Sequence, residues 1–164
     1  MTTRPPDTTL VAFVRDVELA AVALYGRVAP RLHGPSAVAA AGDFVRHHAA
    51  HARLLADFAA QGDGRIEPSV AQAVNAEFAA ATSEAELLAA LETFERRLAA
   101  THQDVLRRCT GTDAVHTLAA IQPVEMAHAA FYAVVAGKSP RDAVPAGLVP
   151  AAGSFLSPAL SRAT

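Results

Sequence analysis

Residues 117 to 137 read TLAAIQPVEMAHAAFYAVVAG, the most apolar run of the chain, with Glu125 and His128 at its middle. Two ionisable groups at that depth would carry a large penalty in a bilayer, so the run reads as a core helix rather than a membrane span. Leu118, Ile121, Glu125, His128, Tyr132 and Val135 recur at three- and four-residue steps and share one stripe. A carboxylate and an imidazole on a buried stripe need partners inside the protein, and the rest of the chain has to supply them.

Outward from this run the pattern stays helical. Alanine and leucine dominate, β-branched runs are short, and the expected fold class is all-α. The first helix is placed over about 8–29, opened by Asp7 or Thr8 and stopped by Pro30, with Val11, Val14, Glu18, Ala21 and Tyr25 on its stripe. The second covers about 35–61, starting at Pro35 and ending near Gln61, with Phe44, His48, His51, Leu55 and Phe58 aligned.

Ser83 to Glu86 has the form of a capping box, which opens a helix over 83–109 with Leu88, Leu91, Glu95, Leu98, His102 and Val105 inward. The last helix spans 113–137, capped by Thr112 or Asp113 and closed by Gly137. Pro123 lies inside it, two residues before Glu125, where it either bends the axis or marks a restart after a break.

The first and last connections are short, so each pair of helices should form an antiparallel hairpin. The link between the pairs has roughly 20 residues, with a short helix around Val70 to Ala80, and can run the length of a bundle. The expectation is an up-down-down-up four-helix bundle with one long crossover over residues 1–137. Residues 138–164, rich in proline and glycine, are expected to be an extended or partly disordered tail.

A chain of 164 residues, 52% of them hydrophobic, supports one core. Its 14 basic and 16 acidic side chains are interspersed, without a basic stripe, which argues against nucleic acid as a partner. The single Cys109 cannot form an internal disulfide and reads as a small buried apolar residue. The start MTTRPPDTTLVAF lacks the basic and apolar regions of a secretory signal, so a cytoplasmic protein without a membrane partner is expected, by default a homodimer.

Shifting the sequence on itself by 77 positions superimposes Glu18 on Glu95, Tyr25 on His102, Gly34 on Gly111, His48 on Glu125 and His51 on His128. The helix hairpins therefore read as an internal duplication. Glu18, Glu95 and Glu125 stand on inward stripes of three helices with no inward Arg or Lys, since Arg15, Arg96 and Arg97 lie off those stripes. A buried carboxylate left unpaired costs several kcal/mol, and a pair of metal ions is a suitable counter-charge.

Residues at i and i+3 share a helix face, so Glu125 and His128 can address one centre, and His48 and His51 can do likewise. The pair His47 and His51 is also compatible with a helix, which leaves His47 or His48 as the ligand. Tyr25, His102 and His47 are placed beside the ligands as partners that orient them, with a redox role for Tyr25 and plain core packing of Tyr25 and His102 as the alternatives, while His33 and His116 fall on loops or outer faces.

With DVELAAVALYGR, HHAAHA and PVEMAH in these positions, residues 10–137 resemble the ferritin-like superfamily of di-metal carboxylate proteins, in particular small bacterial ferritin-like domain proteins. The resemblance implies an iron or manganese pair handling oxygen or peroxide in ferroxidase, catalase-like or oxygenase chemistry. It implies Glu18 and Glu95 as terminal ligands, Glu125 as a bridging one, and His51 and His128 as the two histidines. His48 stands where the family has its other bridging glutamate, and an imidazole there widens the choice of ion to zinc or copper. A di-metal oxidoreductase, a metal-storing protein without turnover and a metal-free scaffold with a degraded site are the three functions that fit.

Overall fold

The computed structural model describes residues 6–59, 66, 68–144 and 153–155. Among them every regular element is helical: α1 (Asp7–Val28), a 3-10 turn (Ala29–Arg31), α2 (Pro35–Ala56), α3 (Pro68–Ala79), α4 (Glu84–Leu106), α5 (Thr112–Val135) and the short α6 (Pro140–Ala143). Helix α1 packs along α2 and α4 along α5. The two pairs meet through α1 against α4 and α2 against α5, while α3 lies against α1 and α4.

Two contacts give the relative direction of α1 and α4. Thr110, just beyond the end of α4, donates its backbone N–H to Asp7 at the start of α1, 2.7 Å away. Glu84, at the start of α4, accepts from the backbone N–H of Gly34, beyond the end of α1, also at 2.7 Å. The pair is antiparallel, and its buried faces carry Val14, Val17, Leu24, Leu91, Phe94 and Leu98. Each such side chain removed from water stabilises the fold by roughly 1.5–3 kcal/mol before chain entropy is set against it.

The start of α4 is closed as its sequence suggests: Ser83 accepts from the Glu86 N–H, and the Glu86 carboxylate accepts from the Ser83 N–H. At the end of α5, Gly137 adopts φ +93°, with Gly137 N–H bonded to the Val134 carbonyl and Lys138 N–H to the Ala133 carbonyl. That double closure needs the left-handed residue that glycine provides.

Several boundaries depart from the expected ones. Helix α2 ends at Ala56 rather than near Gln61, because Phe58 and Ala59 both turn back their N–H groups on the Leu55 carbonyl. The cap of α5 is Gly111, not Thr112 or Asp113, and it has no side chain to offer; the carboxylate comes from Asp7. Pro123 sits within one continuous helix, so the restart after a break is excluded. Its missing N–H and the freed carbonyl one turn earlier are tolerated on an exposed face.

After residue 137 the described residues include a short helix, α6, and three residues packed on the bundle. Ser139 caps α6 by accepting from Asp142 N–H, and residues 153–155 dock on α4. There Phe155 donates its N–H to the Thr101 hydroxyl at 2.9 Å, and the Arg97 guanidinium lies 3.9 Å from the Phe155 ring centre. The remainder of the expected tail, and the glycine-containing stretch after Ala59, lie outside the described residues.

Candidate metal centre

The four long helices bring the inward polar residues of both halves to one buried cluster. Glu18 comes from α1, His48 and His51 from α2, Glu95 and His102 from α4, and Glu125 and His128 from α5. None of the seven is more than 7% exposed, so water cannot carry their charge.

The cluster divides into two overlapping groups. Glu18, His48, His51 and Glu125 offer one donor atom each within 4.8 Å of one another, and so do His48, Glu95, Glu125 and His128. His48 and Glu125 belong to both. These are the six residues that the sequence places as ligands, and His48 rather than His47 takes the place on α2.

Glu125 spans the groups through its two oxygens: Oε1 lies 2.8 Å from His51 Nδ1, and Oε2 lies 3.3 Å from His128 Nδ1. His48 spans them through its two nitrogens, with Nδ1 at 2.8 Å from Glu18 Oε2 and Nε2 at 3.3 Å from Glu95 Oε1. Tyr25 donates its hydroxyl to Glu95 Oε1. His102 places Nε2 2.9 Å from Glu18 Oε1 and anchors Nδ1 on the Leu98 carbonyl at 2.9 Å.

Many of these approaches are short in distance but poor in angle. Glu18 Oε1, Glu95 Oε2, both oxygens of Glu125, Nδ1 of His51 and His128, and Nε2 of His102 are buried without a well-formed hydrogen bond among the protein groups. Lone pairs that converge without pointing along one another's N–H bonds suit a shared cation, which attracts all of them and needs no hydrogen-bond direction. Carboxylate oxygen and imidazole nitrogen in this mixture suit Mn, Fe(II), Zn or Cu.

Without a cation the cluster balances charge through protons. Burial pushes the Glu18 carboxyl up, but contacts with His102, His48 and His51 outweigh it and hold it well below the usual 4.5. Glu95 is likewise lowered, burial being outweighed by the charges and contacts of His48 and His128. Burial pushes His51 down, yet its contacts with Glu125 and Glu18 raise it to about 9. His48 rises well above its usual range, and His102 and His128 also rise, each against burial and through the facing carboxylates.

His47 is not in either group. It is exposed, and its Nδ1 lies 2.9 Å from Nε2 of His128, on the ring edge opposite the nitrogen that faces Glu95 and Glu125. Phe44 stacks on His128 with ring centres 3.8 Å apart and fixes the ring plane. His33 and His116 are exposed and away from the cluster, as their positions suggest.

One neighbour of the cluster was not singled out by sequence. Tyr132 is fully buried with an unpartnered hydroxyl, and its ring lies 6.5 Å from that of Tyr25. Burial raises the pKa of its hydroxyl, and the contact with Tyr25 offsets only part of that rise. The signal was present: a seven-residue step joins Glu18 to Tyr25, Glu95 to His102 and Glu125 to Tyr132. Glu92, also buried on α4, belongs elsewhere, since Arg96 and Lys138 pair with it.

Fold and site together define a helical bundle whose core holds a carboxylate and imidazole cluster able to bind metal. Set against known proteins, the chain matches no described family, no curated protein and no solved structure. Helix α5 is long and apolar enough to cross a membrane by length and composition, but Glu125 and His128 at its centre are turned into the cluster.

Proposed function

We propose that the chain is a ferritin-like di-metal protein that holds two transition-metal ions, iron or manganese before zinc or copper, and acts as an oxidoreductase on oxygen, peroxide or a small substrate. The observation that carries this reading is the pair of buried four-residue groups sharing His48 and Glu125. The antiparallel α1–α4 pair and the position of α3 between the two hairpins agree with the up-down-down-up order and its long crossover.

Bound ions would supply redox and Lewis-acid chemistry. The protein's part follows from its own geometry. Glu18 and His51 would hold one ion and Glu95 and His128 the other, with Glu125 between them. Tyr25 orients Glu95 and His102 faces Glu18, while Phe44 stacks on His128 and the burial of the whole cluster keeps its charges strongly coupled. His47 offers an exposed nitrogen edge joined to His128, a route by which protons displaced from the cluster reach solvent.

The second reading, a metal-free scaffold, is favoured by the raised histidines and lowered carboxylates, which can compensate one another as imidazolium–carboxylate pairs. Elemental analysis separates the two. Protein purified without chelator and loaded with Fe(II) or Mn(II) should carry about two ions per chain, and less than about a tenth of an ion would leave only the scaffold. If ions bind, oxygen consumption or peroxide breakdown that Glu95→Ala leaves unchanged would favour storage over turnover.

A further inference from the structure

We propose that His48 is a bridging imidazolate, binding one metal ion through Nδ1 and the other through Nε2. This deepens the di-metal reading and rests on it. Of the other buried histidines of the cluster, His102 ties one nitrogen to the Leu98 carbonyl, His128 turns its Nε2 to His47, and His51 meets both Glu125 and Glu18 through Nδ1. Each then has a single nitrogen for the carboxylates. His48 differs: Nδ1 addresses Glu18 and Nε2 addresses Glu95, which belong to different four-residue groups.

The ring is fully buried, and its two nitrogens are turned to carboxylates of different groups. Tyr25 and His51 pack beside it, with ring centres 5.3 Å and 6.2 Å away. Glu125 places one oxygen toward His51 and the other toward His128, so the two bridging residues face the same pair of positions.

Charge supplies an independent argument. Glu18, Glu95 and Glu125 bring three negative charges, one short of neutralising two divalent ions in a dry core. An imidazolate provides the fourth, as a glutamate at position 48 would. In forming the bridge, both N–H protons of the His48 ring pass to solvent and the two nitrogen lone pairs bind the ions; no electron changes hands.

The test uses full-length chain labelled with nitrogen-15 at histidine and loaded with Zn(II), which is diamagnetic. Long-range proton–nitrogen spectra should show both His48 nitrogens without a proton and at metal-bound shifts, at two Zn(II) per chain. His48→Gln should weaken the second ion about tenfold or more in a calorimetric titration, whereas His48→Glu, which restores a carboxylate bridge, should keep two ions. Two ions bound with one His48 nitrogen still protonated would overturn the bridge and leave the di-metal reading standing. No Zn(II), Fe(II) or Mn(II) bound at all would overturn both.

Discussion

Asp7 and Glu84 stand 77 positions apart and make the same contact on opposite halves of the bundle. Asp7 Oδ2 accepts from the backbone N–H groups of Thr110 and Gly111 at 2.7 and 2.6 Å, while Glu84 Oε1 accepts from those of His33 and Gly34 at 2.8 and 2.7 Å. Gly34 and Gly111 cap α2 and α5 without side chains, so each half closes the other's second helix. A carboxylate at a helix start also meets the positive end of its dipole. A Cβ at either glycine would approach the visiting carboxylate oxygen, at 3.4 Å for Gly34 and 3.3 Å for Gly111.

These caps tie the hairpins together and should be felt in global stability. Asp7→Ala removes the acceptor from two backbone donors and is expected to cost about 1 kcal/mol. Glu84→Ala should also lower the melting temperature. The two sites are at opposite ends of α1, so the double variant should show nearly the sum of the single losses in urea unfolding.

The same exchange between halves recurs at the cluster, where Tyr25 donates to Glu95 and His102 faces Glu18. Tyr25→Phe removes one hydroxyl from a packed position and should leave the helical circular dichroism unchanged. It is expected to weaken metal binding roughly tenfold, because Glu95 loses the group that orients it. Unaltered affinity would assign Tyr25 to packing alone.

Metal-free protein should be most stable in mildly acidic solution. Folded His51 lies at about 9 against an ordinary 6.5, so its contribution is complete below about 6.5 and is lost as the pH rises toward 9. Glu18 and Glu95 are lowered from 4.5, so theirs is present above that value and is lost as the solution is acidified below it. Melting temperatures of chelator-treated protein should therefore peak between about pH 4.5 and 6.5. Metal affinity should follow the opposite trend on the alkaline side, rising with pH as protons cease to compete.

Pro123 occupies an exposed position within α5. Pro123→Ala restores a helical N–H and is expected to stabilise the fold by about 1–3 kcal/mol. If the proline sets the direction of Glu125 and His128, that gain will come with weaker metal binding in the same titration.

Phe155 anchors residues 153–155 on α4, buried beside Phe94 with ring centres 5.8 Å apart. Phe155→Ala should cost about 2–4 kcal/mol in denaturant unfolding. A loss below about 0.5 kcal/mol would show that the segment contributes little to the core.

Much of the site was legible along the chain because a helix converts spacing into direction. Glu125 and His128, or His48 and His51, share a face wherever the helix lies, and the 77-residue shift relates one hairpin to the other. Tyr132 was legible by the same seven-residue step that marked Tyr25 and His102. The caps of α2 and α5 were not, because the carboxylates come from residues 103 or 104 and 50 or 51 positions away.

By itself, then, the sequence determined the helical class, the four long helices, and which of the cluster's side chains face inward. Tertiary packing decided that His48 rather than His47 enters the cluster, that His47 meets the outer edge of His128, and that each half orients and caps the other. The physical reason is that i, i+3 neighbours are placed by one helix's own geometry. Contacts between helices depend on their separation and rotation, which packing of the whole core sets.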